Sequence, residues 1–221
     1  MKATKYSFQK IAFVGNYIPR RCGIATFTTD LCESVTREVP GINCVAAAMN
    51  DTPEGYAYPD QVRFEIAQND VEQYRELADF LNMGQVDVAC IQHEYGIFGG
   101  QDGEYILEFL RRLRKPVVTT LHTVLFSPYP NQRRIVREIA GLCSAVVVMV
   151  KMGRDMLINS YGIPPEKIVV VPHGVPNVHR VRAATVKKAG EAVDLLENGL
   201  VDAIWAGKYA DNPVDSPPES G

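Results

Sequence analysis

Residues 86–103 read VDVACIQHEYGIFGGQDG, and the fold turns on how they are interpreted. Val86, Val88, Ala89, Cys90 and Ile91 form a short apolar run. Such a run suits a parallel strand covered on both faces. Gln92, His93, Glu94 and Tyr95 follow, so polar side chains arrive at the strand's carboxyl end. Gly96, Gly99, Gly100 and Gly103 then let the backbone turn and approach a ligand closely. A helix is predicted to begin near Gly103 and run over 104–114. Ile106, Phe109, Leu110 and Leu113 mark its inner side, and Glu108 precedes Arg112 by four residues. In an open α/β sheet, ligands bind beyond the carboxyl ends of the strands. The rest of the chain matters for what else it delivers there.

Upstream, KIAFVG (10–15) is a predicted strand, followed by the loop NYIPRRCG and a helical pattern over 24–39. Ile24, Phe27, Leu31 and Val35 recur at three and four residues and mark one face. Strand, glycine-containing loop and helix is a common anion-binding arrangement, because the amides of a helix start are free. This loop matches neither G-x-G-x-x-G nor the Walker pattern. Arg20 and Arg21 place positive charge in it, and solvated arginines on a structural turn are the competing interpretation. Residues 43–48 form a second predicted strand, 49–60 a long excursion, and 62–66 an alternating strand suited to a sheet edge. Residues 70–83 are a predicted helix ended by Gly84.

Downstream, 116–121 is another buried strand with His122 directly after it. A helix is expected over 131–142, with Arg133, Arg134 and Arg137 on its outer side. A strand is expected over 145–150, a helix over 151–161, and a last strand over 167–171 that runs into Pro172-His173-Gly174. Strand–loop–helix units repeated with short connections predict a mostly parallel, Rossmann-like α/β sheet with helices on both faces. One domain is expected over 1–176. Residues 177–221 are a tail with an amphipathic stretch over 186–200 and a Ser/Pro-rich, disordered end.

Composition limits the alternatives. The chain has 221 residues, 46% hydrophobic and 22% charged, with a formal net charge of −3. That balance offers no basic field for nucleic acid. Neither a signal peptide nor a membrane span is evident. The five cysteines contain no C-x-x-C pair, which fits reduced thiols and a cytoplasmic location, with peripheral membrane contact left open.

His93, His122 and His173 each follow a predicted strand, so a parallel sheet carries all three to one edge, with Arg20, Arg21 and Glu94 at the same rim. A metal site using His93, Glu94, His122 and His173 lacks the second histidine of H-E-x-x-H. A serine hydrolase lacks G-x-S-x-G, and a nicotinamide enzyme lacks its glycine fingerprint. Structural histidines that cap loops stay open. The pattern favours a site for a phosphorylated or sugar-like ligand held by histidines, glycine amides and arginines.

PRRCGIATFTTDL, QHEYGIFGGQDG, VVTTLHTV and KIVVVPHGVP, in this order, resemble the N-terminal domain of retaining GT-B glycosyltransferases of family 4 over about residues 10–176. In that family two Rossmann-like domains face each other across a cleft, the first handling the acceptor and the second the sugar nucleotide. By this resemblance Gly23 lies on the loop facing the donor diphosphate. His122 is the cleft histidine that contacts the donor sugar and is the catalytic candidate. His173 and Gly174 lead toward the second domain. Glu94, Gly99 and Gly100 line the acceptor side, with Arg20, Arg21 and His93 as further substrate contacts.

The resemblance implies a hexosyltransferase with a sugar nucleotide as co-substrate, no metal or other cofactor, and a saccharide or lipid-linked acceptor. A non-catalytic sugar- or phosphate-binding module derived from the same domain is the alternative. The family's paired glutamates, with seven residues between them, have no counterpart: Glu191 would need a partner at Gly199 and Glu197 one at Trp205. The chain is therefore expected to be poorly active alone and to need a separate donor domain or a second copy. Trp205 and the apolar side chains Val193, Leu196 and Leu200 also call for a cover.

Overall fold

The computed structural model describes residues 8–173. Gly174 and the tail features at Val193, Leu196, Leu200 and Trp205 lie outside the described residues. Seven strands form one parallel sheet: β1 (Lys10–Gly15), β2 (Asn43–Asn50), β3 (Val62–Ala67), β4 (Val88–His93), β5 (Val117–Leu121), β6 (Ala145–Val148) and β7 (Ile168–Val170). Their order is β3-β2-β1-β4-β5-β6-β7. The chain runs outward from β1 to β3, returns to β4, and continues outward the other way. The reversal puts a crevice at the carboxyl ends of β1 and β4.

Sequence pattern explains strand position. All six residues of β4 are buried, and β4 lies between β1 and β5. The alternating β3 occupies one edge. Five helices connect the strands: α1 (Gly23–Glu38), α2 (Val71–Met83), α3 (Ile106–Arg112), α4 (Pro130–Leu142) and α5 (Lys151–Tyr161). Both faces carry helices, but unequally. α2, α3, α4 and α5 pack on the face formed by residues such as Val14, Ile91 and Val146. α1 packs on the face formed by Ile11, Phe13 and Cys90.

Two elements differ from the sequence pattern. The buried side of α1 is Ala25, Thr28, Thr29, Leu31, Cys32 and Val35, while Ile24 and Phe27 are half-buried. Threonine can line this face because Thr28 and Thr29 donate to the carbonyls of Ile24 (2.7 Å) and Ala25 (2.9 Å). The helix expected over 104–114 is shorter. A 3-10 turn at Gln101–Gly103 comes first, with Asp102 at φ 56°, and α3 begins at Ile106. The Asp102 carboxylate accepts from Asn131 Nδ2 (2.9 Å) and Gln132 Nε2 (3.3 Å), which ties this turn to the start of α4.

The β4–α3 loop is fixed from behind. Tyr74 Oη donates to the Gln68 carbonyl and accepts from the Gly99 amide, both at 2.8 Å. A Cβ on Gly99 would lie 1.9 Å from the Gln68 oxygen, whereas one on Gly96 would meet nothing within 4 Å. Gly99→Ala is therefore expected to cost about 2–3 kcal/mol, and Tyr74→Phe about 1–3 kcal/mol through the orphaned amide. Gly96→Ala should stay within about 0.5 kcal/mol. Urea denaturation of the three variants checks this ranking.

Candidate functional site

The crevice is built from the ends of β1, β4 and β5 together with the start of α1. Gly15 ends β1, and a Cβ there would come within 3.1 Å of Gln92 Cβ, so glycine permits the close pairing of β1 with β4 at this point. Alternation along β4 sends Gln92 toward the α1 face and His93 toward the other. Gln92 Oε1 lies 2.9 Å from His122 Nε2. With that oxygen as acceptor, the imidazole carries its proton on Nε2 and presents a lone pair at Nδ1. The His122 ring stands edge-on to Phe27 of α1, centroids 4.8 Å apart at 88°. The exposed His173 meets the same phenyl ring at 5.3 Å. Burial, aided by the nearby His173, holds His122 down to about 4. The ring is neutral at pH 7.

The loop before α1 is braced by side chains. The buried Asn16 donates to Cys22 Sγ at 3.3 Å, and that sulfur also caps α1 by accepting from the Ala25 amide at 3.3 Å. The amides of Gly23 and Ile24 find no acceptor among the described residues. A Cβ at Gly23 would meet no atom within 4 Å. The first turn of α1 is thus open, with the partial positive charge of a helix start. Arg20 is tied down by an ion pair with Asp51 (3.0 Å) and by donation to Asn16 Oδ1 (2.9 Å) and the Met49 carbonyl (3.2 Å). Arg21 is exposed.

On the β4–β5 side, Glu94 is half-buried. It accepts from the Thr123 hydroxyl and, at 2.9 Å, from the Tyr95 amide. His93 has another character. It is 0% exposed, packs against Tyr95 and Phe98, and neither ring nitrogen has a partner among the described residues. Burial, with a smaller contribution from His122, lowers it to about 4. Gly99 and Gly100 press against Gln68 and Tyr105, with Gly100 at φ 79°. Their glycine character is explained by close packing and backbone conformation.

Of the residues expected at the edge, His122 and His173 meet on Phe27 of α1, the helix that Gly23 begins; Arg21 is exposed in the loop before that helix, and Glu94 directly follows β4. The structure turns His93 into the core and uses Arg20, Gly99 and Gly100 to hold loops. Gln92, Phe27 and Thr123 contribute contacts here, although the sequence assigned none of them a role in the site. Strand alternation was the available signal for Gln92, since it and His93 must face opposite ways. Among the described residues no group of three or more His, Cys, Asp or Glu side chains is arranged to hold a metal ion, and no helix is long and apolar enough to cross a membrane.

The seven-stranded parallel sheet with helices on both faces has the Rossmann-like α/β architecture of one GT-B half. The family model for Glycosyltransferase Family 4 matches residues 23–177, and the chain belongs to that family. No curated protein matches the sequence. Several solved structures share the fold. The apo form of WaaB, a lipopolysaccharide outer core galactosyltransferase, is 12% identical with a TM-score of 0.56, over 78% of this chain and 48% of that one. A glycosyltransferase from Rickettsia africae ESF-5 is 15% identical with a TM-score of 0.53, over 86% and 50%. Anabaena Alr3699/HepE, solved with UDP and glucose, is 13% identical with a TM-score of 0.54, over 85% and 51%. The chain spans about half the length of these structures.

The two depressed histidines make stability depend on pH. An unfolded histidine titrates near 6.5, whereas His93 and His122 take protons in the folded state only near 4. Above pH 6.5 both states are neutral and there is no penalty. As pH falls from 6.5 to 4 the unfolded chain binds protons that the folded one does not, so stability declines across that window. His93 accounts for about 3 kcal/mol of the decline when the window is crossed. Urea denaturation between pH 7.5 and 4.5 should show this fall, and His93→Phe should flatten it. An unchanged slope in that variant would rule the assignment out.

Proposed function

We propose that this chain forms the acceptor-side half of a retaining hexosyltransferase, using a sugar nucleotide as co-substrate and a saccharide or lipid-linked acceptor. The observation that carries the reading is the neutral His122, oriented by Gln92 and Phe27, beside the open first turn of α1. A sugar presents hydroxyl groups and a nucleotide diphosphate presents negative charge, and these two features suit one each. The presence of UDP and glucose in the Anabaena relative supports the same ligand class.

In this reading the Gly23 and Ile24 amides face the diphosphate, and Arg21 adds positive charge from solvent. His122 Nδ1 accepts from a hydroxyl of the donor sugar, and being neutral it adds no charge to a transition state that is itself positive at the sugar. Glu94, pinned by Thr123, faces the acceptor and keeps lone pairs for its hydroxyls. Arg20, His93, Gly99 and Gly100 serve the acceptor wall by shaping it, and His173 with Gly174 leads out of the domain. Stabilising the charge on the departing nucleotide falls to a donor half.

The isolated chain is expected to give no transfer from UDP- or GDP-sugars. A matched donor half added on a second chain should restore turnover, and His122→Ala should then lower it about a hundredfold. In a thermal-shift panel, saccharide or lipid-linked acceptors should raise Tm, while UDP-glucose, UDP-galactose and GDP-mannose alone should not, because these contacts form one wall of the donor site and the donor half supplies the rest. Robust turnover by the isolated chain that His122→Ala abolishes, or a shift with the nucleotide alone, would overturn the half-cleft reading.

A further inference from the structure

Four of the five cysteines are buried, and two of those differ from the rest. Cys32 on α1 and Cys44 on β2 meet where the helix packs on the sheet, and their thiols hydrogen-bond to each other. Cys143 has another partner, the Thr119 hydroxyl at 3.0 Å. The Cys22 sulfur accepts from Asn16 and from the Ala25 amide. Cys32 and Cys44 also both line a cleft of about 400 Å³, whose walls include Glu33, Arg37, Asp60 and Arg63. Cys90 belongs to the same buried layer but not to the cleft wall. An isolated buried thiol behaves as a small hydrophobe. Two sulfurs in contact at a polar opening have a chemistry that packing does not require.

We propose that Cys32 and Cys44 form an oxidisable dithiol, which a small polar peroxide reaches through this cleft and closes into a disulfide. The charged walls suit a hydrophilic oxidant of about the size of water. A bulky disulfide has little to attack, because the two residues are only 1% and 5% exposed.

The hydrogen bond that Cys44 accepts from Cys32 holds Cys44 below the ordinary thiol value, and the same bond, with burial, pushes Cys32 up. Cys44 is therefore the member that gives its proton to solvent and acts as the nucleophile. Its sulfur attacks one peroxide oxygen, forming a sulfenic acid and releasing hydroxide, which takes a proton back from solvent as water. Cys32 then attacks the Cys44 sulfur, and its own proton leaves with the displaced hydroxide as a second water. Two thiols are oxidised and one peroxide is reduced to two waters. The new bond ties the middle of α1 to β2. That helix also carries Phe27 against the His122 ring, so the thiol pair and the cleft histidine share one support.

The test is non-reducing peptide mapping of the full, reduced chain after treatment with hydrogen peroxide, with remaining thiols blocked by iodoacetamide. Cleavage after Arg21 and Arg37 leaves Cys22 and Cys32 in one peptide, so Cys22→Ser is mapped beside the wild type. A cross-link between the Cys32 and Cys44 peptides is expected, two hydrogens lighter than their sum and cleaved by dithiothreitol. Its rate should not change with protein concentration. Cys44→Ser should give no cross-link and leave Cys32 a thiol. Cys32→Ser should stop at a sulfenic acid on Cys44, which dimedone captures. Recovery of both residues as thiols once Cys22 is fully oxidised would overturn the proposal. So would a bridge from either residue to Cys90, or one that forms only in urea. If a variant fails to fold, fragmentation of the cross-linked wild-type peptides decides.

Discussion

The site depends on one close approach in the middle of the sheet. β1 and β4 are hydrogen-bonded neighbours, and at the end of β1 Gly15 faces Gln92, where an added Cβ would lie only 3.1 Å from Gln92 Cβ. Beside Gly15, the Gln92 side chain reaches His122, the residue directly after β5. That contact orients the imidazole and selects which nitrogen carries its proton. Phe27 then closes the ring from the α1 side. Three strand ends and one helix are thereby linked through a single amide. A Cβ at position 15 would require Gln92 to give by a few tenths of an ångström, and so would act on the histidine without touching it.

The architecture was largely legible in the sequence because the strands are short apolar runs separated by helical spacings, a pattern with few alternative folds. β4 and β3 illustrate this, one continuous and central, the other alternating and at the edge. The buried face of α1 was less legible. Threonine counts as polar in a periodicity argument, yet Thr28 and Thr29 satisfy their hydroxyls on the helix's own carbonyls and pack inward. The extent of α3 was misjudged for a similar reason: the bend at Asp102 is secured by Asn131 and Gln132 from thirty residues away, and no local signal carries that.

The candidate site was legible as a place before it was legible as a set of contacts. Position after a strand correctly sends His122 and His173 to the carboxyl edge, but it does not say which face a side chain takes. His93 is the instructive residue. It is the last residue of its strand instead of the first residue after it, and one step of alternation buries it among Tyr95 and Phe98. Arg20 is instructive in another way. Its charge invites an anion, yet Asp51, on the excursion after β2, already compensates it. Whether a cation in a loop is available depends on a partner supplied by tertiary structure.

The cap on α1 also has a practical side. Cys32, Cys44, Cys90 and Cys143 are buried, whereas Cys22 is half-exposed at the mouth of the crevice. A thiol-reactive dye should therefore attach at this one position in the native protein without any engineered cysteine. Its fluorophore would sit beside Gly23 and the free amides of the first turn. The chain thus carries a built-in attachment point for an optical reporter, placed where an arriving ligand would change the dye's surroundings.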